Sequence, residues 1–270
     1  IGTDGDMEAA ALKYKEFDGT VDAFGVGGAD LGALVDGSFY PFHSVQPMVR
    51  FVKKTPLVDG GGLKNTLENK APAFLDNKIG DYIKQRGRKV FVTLGVDRWG
   101  LSKSFVEAGY EVVFGDLMFA LGVPIAIRSM GGLRTLAKLM IPIVTRFPFE
   151  CLYPTGEKQD ERIPKYEKYY QWATVIAGDC HYVKRHMPDD MQGKIIVTNT
   201  TTPDDVELFR KCGVKYLVTT TPVLEGRSFG TNMMEAALVA AAGKGRVLNH
   251  NELNEMINML HLEPALQELN

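Results

Sequence analysis

The chain has 270 residues, of which 45% are hydrophobic and 24% are charged, and its formal net charge is −2. This composition is typical of a globular protein with one large or two medium domains. The near-neutral charge excludes a general electrostatic attraction to nucleic acid or to an anionic membrane. The three cysteines show no metal-ligand spacing, and no apolar run reaches 18 residues. We therefore expect a cytoplasmic protein with no metal site and no transmembrane segment.

The first part of the chain predicts a small α/β domain over residues 1–86. The chain begins without Met on a polar turn that leads into a helix, and we expect a further strand before this turn. The Asp36-Gly37 pair predicts a type I′ hairpin, because this turn needs positive φ angles. Hydrophobic periodicity predicts, in chain order, a helix at 6–17, a strand at 21–26, the hairpin at 34–40, a helix at 45–53, a strand at 55–58 and helices from 63 to 85.

Residues 87–270 predict a Rossmann-like domain with a doubly wound parallel sheet. Strands alternate with helices in this part of the chain, which is typical of a parallel sheet with right-handed crossovers. The predicted strands lie at 89–94, 111–114, 174–177, 194–198 and 215–219, and the clearest helices lie at 101–108, 203–211 and 231–242. The expected fold class is therefore α/β, with the smaller α/β domain in front of the Rossmann-like one.

The segment 128–154 carries an apolar stripe beside basic residues. Its apolar residues recur at helical spacing from Leu133 to Val144, although Pro142 and Pro148 disfavour a continuous helix. The first interpretation is burial against another domain or in a homodimer through residues 128–150. The alternative is a basic amphipathic segment that lies on a membrane surface.

The loop after the strand at 89–94 is a candidate dinucleotide site. In open parallel sheets, ligands bind beyond the carboxyl ends of the strands. Gly95, Arg98 and Gly100 are expected to hold a diphosphate, and Asp116, 21 positions after Gly95, is expected to accept from a ribose hydroxyl. The GxGxxG pattern is absent, so the alternative is an ordinary tight turn. An acidic residue at this position favours NAD over NADP.

Polar residues also follow the later strands of the predicted sheet. Asn199, Thr200 and Thr221 stand where they would line a nicotinamide crevice, although Thr and Asp at such positions also serve as helix caps. His181 directly follows another strand end and is a candidate acid or base. Five positions separate it from His186, a spacing that does not favour a metal pair.

Three consecutive glycines after the strand at 55–58 form the strongest feature of the first domain. Lys64 lies in the first turn of the helix that follows them, where the helix dipole disfavours a cation. A bound anion or a proton-transfer role would account for it, so Lys64 and Asp59 are predicted as a catalytic pair. Gly61 and Asn65 are predicted to contact a substrate or anion. Solvated turn residues are the alternative.

A second candidate anion site precedes the helix at 231–242. Arg227, Ser228 and Asn232 combine a guanidinium, a hydroxyl and an amide beside glycines at a helix N-terminus, which suits an anionic group. The alternative is that Arg227 only holds its loop in place.

Five segments resemble a bacterial family labelled quinate 5-dehydrogenase, whose members are described as similar to shikimate/quinate dehydrogenases. They are GTDGD at 2–6, VDGGGLKNTL at 58–67, VDRWG at 96–100, YPTGEKQ at 153–159 and TTTPVLEGRSFGTN at 219–232. The resemblance implies a substrate domain before an NAD(P) domain and a catalytic Lys–Asp pair in the first. The family's Asn-Val-Thr-x-Pro-x-Lys motif and its Gly-Ala-Gly-Gly loop are absent here, so Lys64 is matched by position.

The expected function is an NAD(P)-dependent oxidoreductase, with NAD favoured over NADP, that acts on a secondary alcohol of a small polyhydroxylated, quinate- or shikimate-like acid. Lys64, helped by Asp59, would move the hydroxyl proton. Two alternatives belong to other classes: a non-catalytic ligand-binding or regulatory α/β protein, and a transferase that uses a nucleotide-linked donor.

Overall fold

Helices and strands alternate along most of the chain in a computed structural model, which describes residues 1–3, 5–153, 162–224 and 227–270, except for the side chains of Leu224 and Arg227. The helices are α1 (Met7–Phe17), α2 (Gln46–Val49), α3 (Gly61–Lys64), α4 (Ala71–Arg86), α5 (Trp99–Glu107), α6 (Asp116–Leu121), α7 (Met130–Val144), α8 (Phe149–Leu152), α9 (Glu167–Trp172), α10 (Cys180–His186), α11 (Pro203–Lys211), α12 (Thr231–Ala242) and α13 (His250–Met259), with a 3-10 turn at Glu68–Lys70. The strands are β1 (Phe24–Gly25), β2 (Gly32–Val35), β3 (Ser38–Pro41), β4 (Leu57–Val58), β5 (Lys89–Val92), β6 (Glu111–Phe114), β7 (Val175–Ala177), β8 (Ile195–Thr198), β9 (Tyr216–Thr219), β10 (Val223–Leu224), β11 (Arg227–Ser228) and β12 (Ala265–Glu268).

A six-stranded sheet in the order β12-β9-β8-β7-β5-β6 organises the second part of the chain. Five strands are parallel, and β12 pairs antiparallel with β9 at the edge. The α/β class is therefore confirmed, and the five parallel strands agree with their predicted limits to within two residues. The chain order reverses between β5 and β7, so the loops that follow these two strands diverge and leave a crevice at the carboxyl end of the sheet.

Both faces of this sheet are buried under helices. Successive side chains of a strand point to opposite faces, and Val90 and Val92 accordingly join one apolar cluster while Phe91 joins the other. Helices α4, α5 and α7 cover the first face, and α9, α10 and α11 cover the second. Because neither face meets water, the strands consist of nearly continuous apolar runs, as expected for a parallel sheet.

The first part of the chain has less regular structure than its sequence predicts. The strands expected at 21–26 and 55–58 shorten to the two-residue parallel pair β1 and β4, and the helix expected at 45–53 is the single turn α2. The hairpin is confirmed, with φ of 52° at Asp36 and 81° at Gly37. The pair β1–β4 is covered by α12, so the C-terminal region completes the core of the N-terminal one.

Helix α4 crosses the predicted domain limit at residue 86. Its side chains Leu75 and Ile83 are fully buried against Val90 and Val92 of the sheet, although the sequence analysis assigns this helix to the first domain. The division at 86/87 stays a prediction. None of the helices in the described ranges is both long and apolar enough to cross a membrane.

Candidate functional site

A cleft of about 450 Å³ lies between the N-terminal region and the carboxyl end of the six-stranded sheet. Its wall is formed by the loop after β1, the β2–β3 hairpin, α3, the loop after β5, helix α6 and one side of α7. This volume falls within the range of small-molecule sites. The cleft also lies where parallel α/β proteins place their ligands, because the loops after β1, β4 and β5 all reach it.

Most of the cleft wall is apolar. Leu136, Met140 and Val144 line it from α7, and they share one side of the helix because they are four residues apart. Leu133, Ala137 and Ile141, one position further around the same helix, are buried in the core, and the last two also reach the cleft. The predicted apolar stripe of 128–154 is therefore buried within the chain on one side and lines a cleft on the next.

The polar end of the cleft is built around Lys64. Its side chain is only 12% exposed, and its Nζ donates to Oδ1 of Asp30 at 2.8 Å and to Oδ1 of Asp97 at 3.0 Å. The three residues come from the loop after β1, from α3 and from the loop after β5. Both carboxylates are about a quarter to a third exposed and face the cleft. The ammonium of Lys64 thus joins the two halves of the molecule at the site.

Arg98 lies behind this group and is 3% exposed. Its guanidinium donates from Nε to Asp97 at 3.0 Å, from Nη1 to Glu68 at 2.6 Å and from Nη2 to Asp179 at 3.1 Å. Glu68 is 1% exposed, and its second oxygen, Oε2, has no hydrogen-bond partner. The six groups Asp30, Lys64, Asp97, Arg98, Glu68 and Asp179 form one continuous network in which each cation contacts only carboxylates.

The two carboxylates that share Lys64 have pKa values displaced in opposite directions. Burial raises the pKa of Asp30, assisted by the charges of Asp97 and Asp59, and Lys64 offsets this only in part. For Asp97, Lys64 and Arg98 outweigh burial and lower the pKa to about 2. Burial lowers the pKa of Lys64, but Asp30 and Asp97 outweigh it, and the net shift is upward. Lys64 therefore stays charged, and Asp30 is the more readily protonated of the two carboxylates.

Tyr153 fixes the position of Asp30. The Asp30 amide donates to the Tyr153 hydroxyl oxygen at 2.9 Å, and that hydroxyl lies 3.4 Å from Oδ2 of the same aspartate. Burial and the nearby charge of Asp30 raise the pKa of Tyr153, so the phenol stays protonated. Residues 154–159 of the segment that carries Tyr153 lie outside the described residues.

The predicted diphosphate cradle is filled by the protein itself. The Asp116 side chain is buried, and its carboxylate accepts from the amides of Gly95 at 2.9 Å and Val96 at 2.8 Å. The Asp116 carboxylate thus occupies the amides that the sequence assigns to phosphate, which disfavours its contact with a ribose hydroxyl, and that contact stays a prediction. Burial raises the pKa of Asp116 to about 6, although the same two amides act in the opposite direction.

The other two residues of the predicted cradle are committed to packing. Arg98 is held by three carboxylates and does not face the cleft. Gly100 lets α5 approach the first half of the chain, because a Cβ there would overlap the Asn69 amide oxygen and lie 3.0 Å from the Lys64 carbonyl oxygen. The residues present do not fit the diphosphate of a dinucleotide in the predicted arrangement.

The residues predicted for a nicotinamide crevice stabilise loops at the sheet edge. The Asn199 amide donates to Asp179 at 3.1 Å, and the fully buried Thr221 hydroxyl donates to the Asn199 carbonyl oxygen at 2.8 Å. Thr200 lies beside them and is half-buried. None of the three lines the cleft.

The triple-glycine loop is also closed by carboxylates of the chain. Asp59 accepts from the Gly61 amide at 2.8 Å and the Leu31 amide at 2.6 Å, so its partners are amides and not Lys64. Glu235 accepts from the next two amides, at Gly62 and Leu63. Gly61 and Asn65 do line the cleft, as expected, but the amides of this turn are not free to bind an anion.

The remaining predicted residues lie away from the cleft. His181 is exposed at the start of α10 and does not line it. Ser228 is buried and bonds both the amide and the carbonyl of Thr201. Asn232 donates to the Val26 carbonyl oxygen at 2.8 Å and thereby joins α12 to β1. The side chain of Arg227 lies outside the described residues, so its predicted role is untested.

The described ranges contain no group of three His, Cys, Asp or Glu side chains arranged to hold a metal ion.

The chain belongs to the family of a domain of unknown function, DUF8754, whose model matches residues 62–269. A second domain of unknown function, DUF8753, matches residues 1–59. Neither a curated protein nor a solved structure matches the chain.

Proposed function

We propose that the cleft binds a small amphipathic molecule and that Asp30 exchanges a proton with its polar head. The observation that carries this proposal is the Lys64 ammonium, held by Asp30 and Asp97 at the polar end of an otherwise apolar 450 Å³ cleft. A cleft of this kind orients a ligand by its two ends, since the apolar part fixes depth and the few polar groups fix direction.

Each residue of the polar end has a distinct part in this proposal. Asp30 accepts or donates the proton, because it lines the cleft and burial raises its pKa above that of an ordinary aspartate. Lys64 and Tyr153 orient its carboxylate through their hydrogen bonds. Asp97 stays ionised and holds Lys64 in place.

The charge of the cleft wall selects the head group. Four carboxyl groups line it, from Asp30, Asp59, Asp97 and Asp116, against the single ammonium of Lys64. A ligand carboxylate would be repelled by this excess, whereas a hydroxyl or an amine can donate to it. We therefore place a neutral hydroxylated or cationic head in the cleft, and not the acid that the quinate resemblance implies.

Three eight-carbon probes test the proposal by calorimetric titration below their aggregation limits. We expect octane-1,2-diol and octylamine to bind and octanoate to bind at least about tenfold more weakly, since one uncompensated like charge nearby costs a few kcal/mol. Leu136→Asn should weaken diol binding about tenfold, because it puts a polar group in the apolar end. Leu139→Asn is the matched control on an exposed face of α7 and should leave it unchanged.

Octanoate binding as tightly as the diol would contradict the proposed charge selection. Equal effects of Leu136→Asn and Leu139→Asn would show that the diol binds elsewhere. Octylamine binding whose heat does not depend on the ionisation enthalpy of the buffer would show that no proton is exchanged, and would favour the ligand-binding alternative over an enzyme.

An NAD-dependent oxidoreductase on a quinate-like alcohol is the second candidate, and the resemblance alone favours it. The sheet order, 2-1-3-4-5 along the parallel strands, is the flavodoxin-like one and not the 3-2-1-4-5-6 order typical of dinucleotide-binding sheets. If the Gly95 loop nonetheless binds a diphosphate, Asp116→Ala should strengthen NAD binding, because it frees two amides and removes a negative charge. Titration of wild type and variant to about 1 mM, within the usual range of Michaelis constants, decides the point. No saturable binding by either one removes this candidate.

A further inference from the structure

Exposed apolar side chains surround one end of the cleft. These side chains form what we call the apolar rim. They come from the end of α6 and the loop that follows it, from α7, and from Phe147 in the loop after α7. The rim's members are between 37% and 66% exposed: Leu121, Val123, Ile125, Leu139, Ile143 and Phe147. Single exposed apolar residues need no explanation, but a group of six beside a cleft marks an interaction surface.

The rim is continuous with the inside of the cleft. Leu121 and Phe147 belong to both, because they line the cleft and are also exposed. On α7, Leu139 follows the cleft residue Leu136 by three positions, and Ile143 follows Met140 by three, so each pair lies on adjacent parts of one helix surface. The rim therefore borders the apolar end of the cleft.

The segment that carries the rim contains charged residues of one sign. Residues 117–149 contain four basic residues and no Asp or Glu, although the whole chain has a net charge of −2. Arg128 and Arg134 contact Glu111 and Asp36. Lys138 and Arg146 form no ion pair with the described residues. The surface thus combines apolar side chains with an excess of positive charge.

We propose that the apolar rim docks on an anionic lipid bilayer, so that an amphipathic molecule enters the cleft from the membrane surface; this rests on the proposed function of the cleft. Shallow insertion of apolar side chains with lysine and arginine at the headgroups is the pattern of interfacial binding. A second copy of the chain fits this surface less well, because two rims of the same positive charge would face each other.

Flotation with vesicles tests the proposal on the full chain. We expect binding to vesicles of phosphatidylcholine with phosphatidylglycerol, weak binding to phosphatidylcholine alone, and release by salt. Lys138→Glu with Arg146→Glu should lower partitioning more than about tenfold, since each basic residue near an anionic surface contributes severalfold. Lys84→Glu with Lys211→Glu, two exposed lysines on α4 and α11, changes the net charge equally and should have little effect.

The apolar part of the surface is tested separately. Leu139→Asn with Ile143→Asn should also reduce partitioning, whereas Met233→Asn with Met259→Asn, at exposed apolar positions on α12 and α13, should not. The proposal is overturned if rim and control variants partition alike, or if wild type binds no vesicles and instead forms a dimer that the rim variants dissociate. Diol binding in free solution is unaffected by either outcome, so failure here leaves the proposed function standing.

Discussion

Arg98→Met should lower the free energy of unfolding by about 3–5 kcal/mol, the cost of removing one partner from a buried ion pair. Arg98 and Glu68 are 3% and 1% exposed, and no other cation contacts the Glu68 carboxylate in the described residues. The variant leaves that carboxylate buried without a counter-ion, and methionine replaces only the volume of the arginine stem. Urea denaturation with an unchanged slope measures the loss.

The double variant Arg98→Met with Glu68→Met separates charge from packing. It removes the fully buried Arg98–Glu68 pair and should recover much of the lost stability, because replacing a buried pair by apolar residues is often neutral and the other two carboxylates that lose Arg98, Asp97 and Asp179, are about a quarter to a third exposed. Lys103→Met, at an exposed position of α5, should change the stability by less than about 0.5 kcal/mol. A loss below about 1 kcal/mol in Arg98→Met would mean that the network is not a buried ion cluster.

Gly60→Ala should cost about 2–5 kcal/mol of stability, from backbone strain and overpacking together. Gly60 has a φ of 92°, which side chains disfavour. An added Cβ would overlap Thr231 Oγ1 and lie 2.6 Å from the Asn232 nitrogen and 2.8 Å from the Thr231 carbonyl carbon. Two of these atoms belong to the backbone of α12 and cannot move aside.

Gly28→Ala provides the matched control for the Gly60 variant. Gly28 also has a positive φ, of 76°, but an added Cβ there meets nothing within 4 Å. This variant should therefore show the conformational cost alone, about 1 kcal/mol. Thermal unfolding of both proteins gives the comparison. Equal losses at the two positions would contradict the close approach of α12 to the triple-glycine loop.

Local patterns predict the parallel sheet well because burial on both faces makes its strands nearly continuous apolar runs. Strand β12 is missed, since Ala265–Glu268 lies at an edge, ends in Gln and Glu, and depends on pairing with β9 for its existence. The first part of the chain is over-predicted for the opposite reason. Its apolar runs are buried by helix α12, which lies about 170 residues later in the chain. Because α12 covers them, these runs do not need to form long hydrogen-bonded strands.

The glycine loops show why the sequence predicts the strands of the sheet better than it predicts the contacts of the site. A loop with free amides looks the same in sequence whether its anion is a ligand or a carboxylate of the chain. The 21-residue spacing correctly brought Asp116 to the Gly95 loop, but as the group that fills it. Glu235, which caps Gly62 from 173 positions away, gives no local signal at all.

The sequence singles out Lys64 as a cation in a predicted first helical turn, but in the structure Lys64 ends the one-turn helix α3, where the dipole does not disfavour it, and its partners are Asp30 and Asp97. The sequence analysis does not predict Asp30 as a site residue, although Asp30 ends a glycine loop after a predicted strand. Asp59 is predicted because it lies in the same kind of loop. Tyr153 could not be connected to it, because 123 residues separate the two in sequence. Residues that converge from distant loops are visible only once the chain is folded.

The central claim, that an amphipathic ligand lies along α7 with its head at Lys64, is tested most directly by methionine methyl NMR during titration with octane-1,2-diol. Met140 lines the cleft, whereas Met233 and Met259 are exposed on other helices. We expect the Met140 methyl signal, assigned with Met140→Leu, to shift saturably while those of Met233 and Met259 stay in place. A Met140 signal that remains fixed while the diol binds would contradict the account.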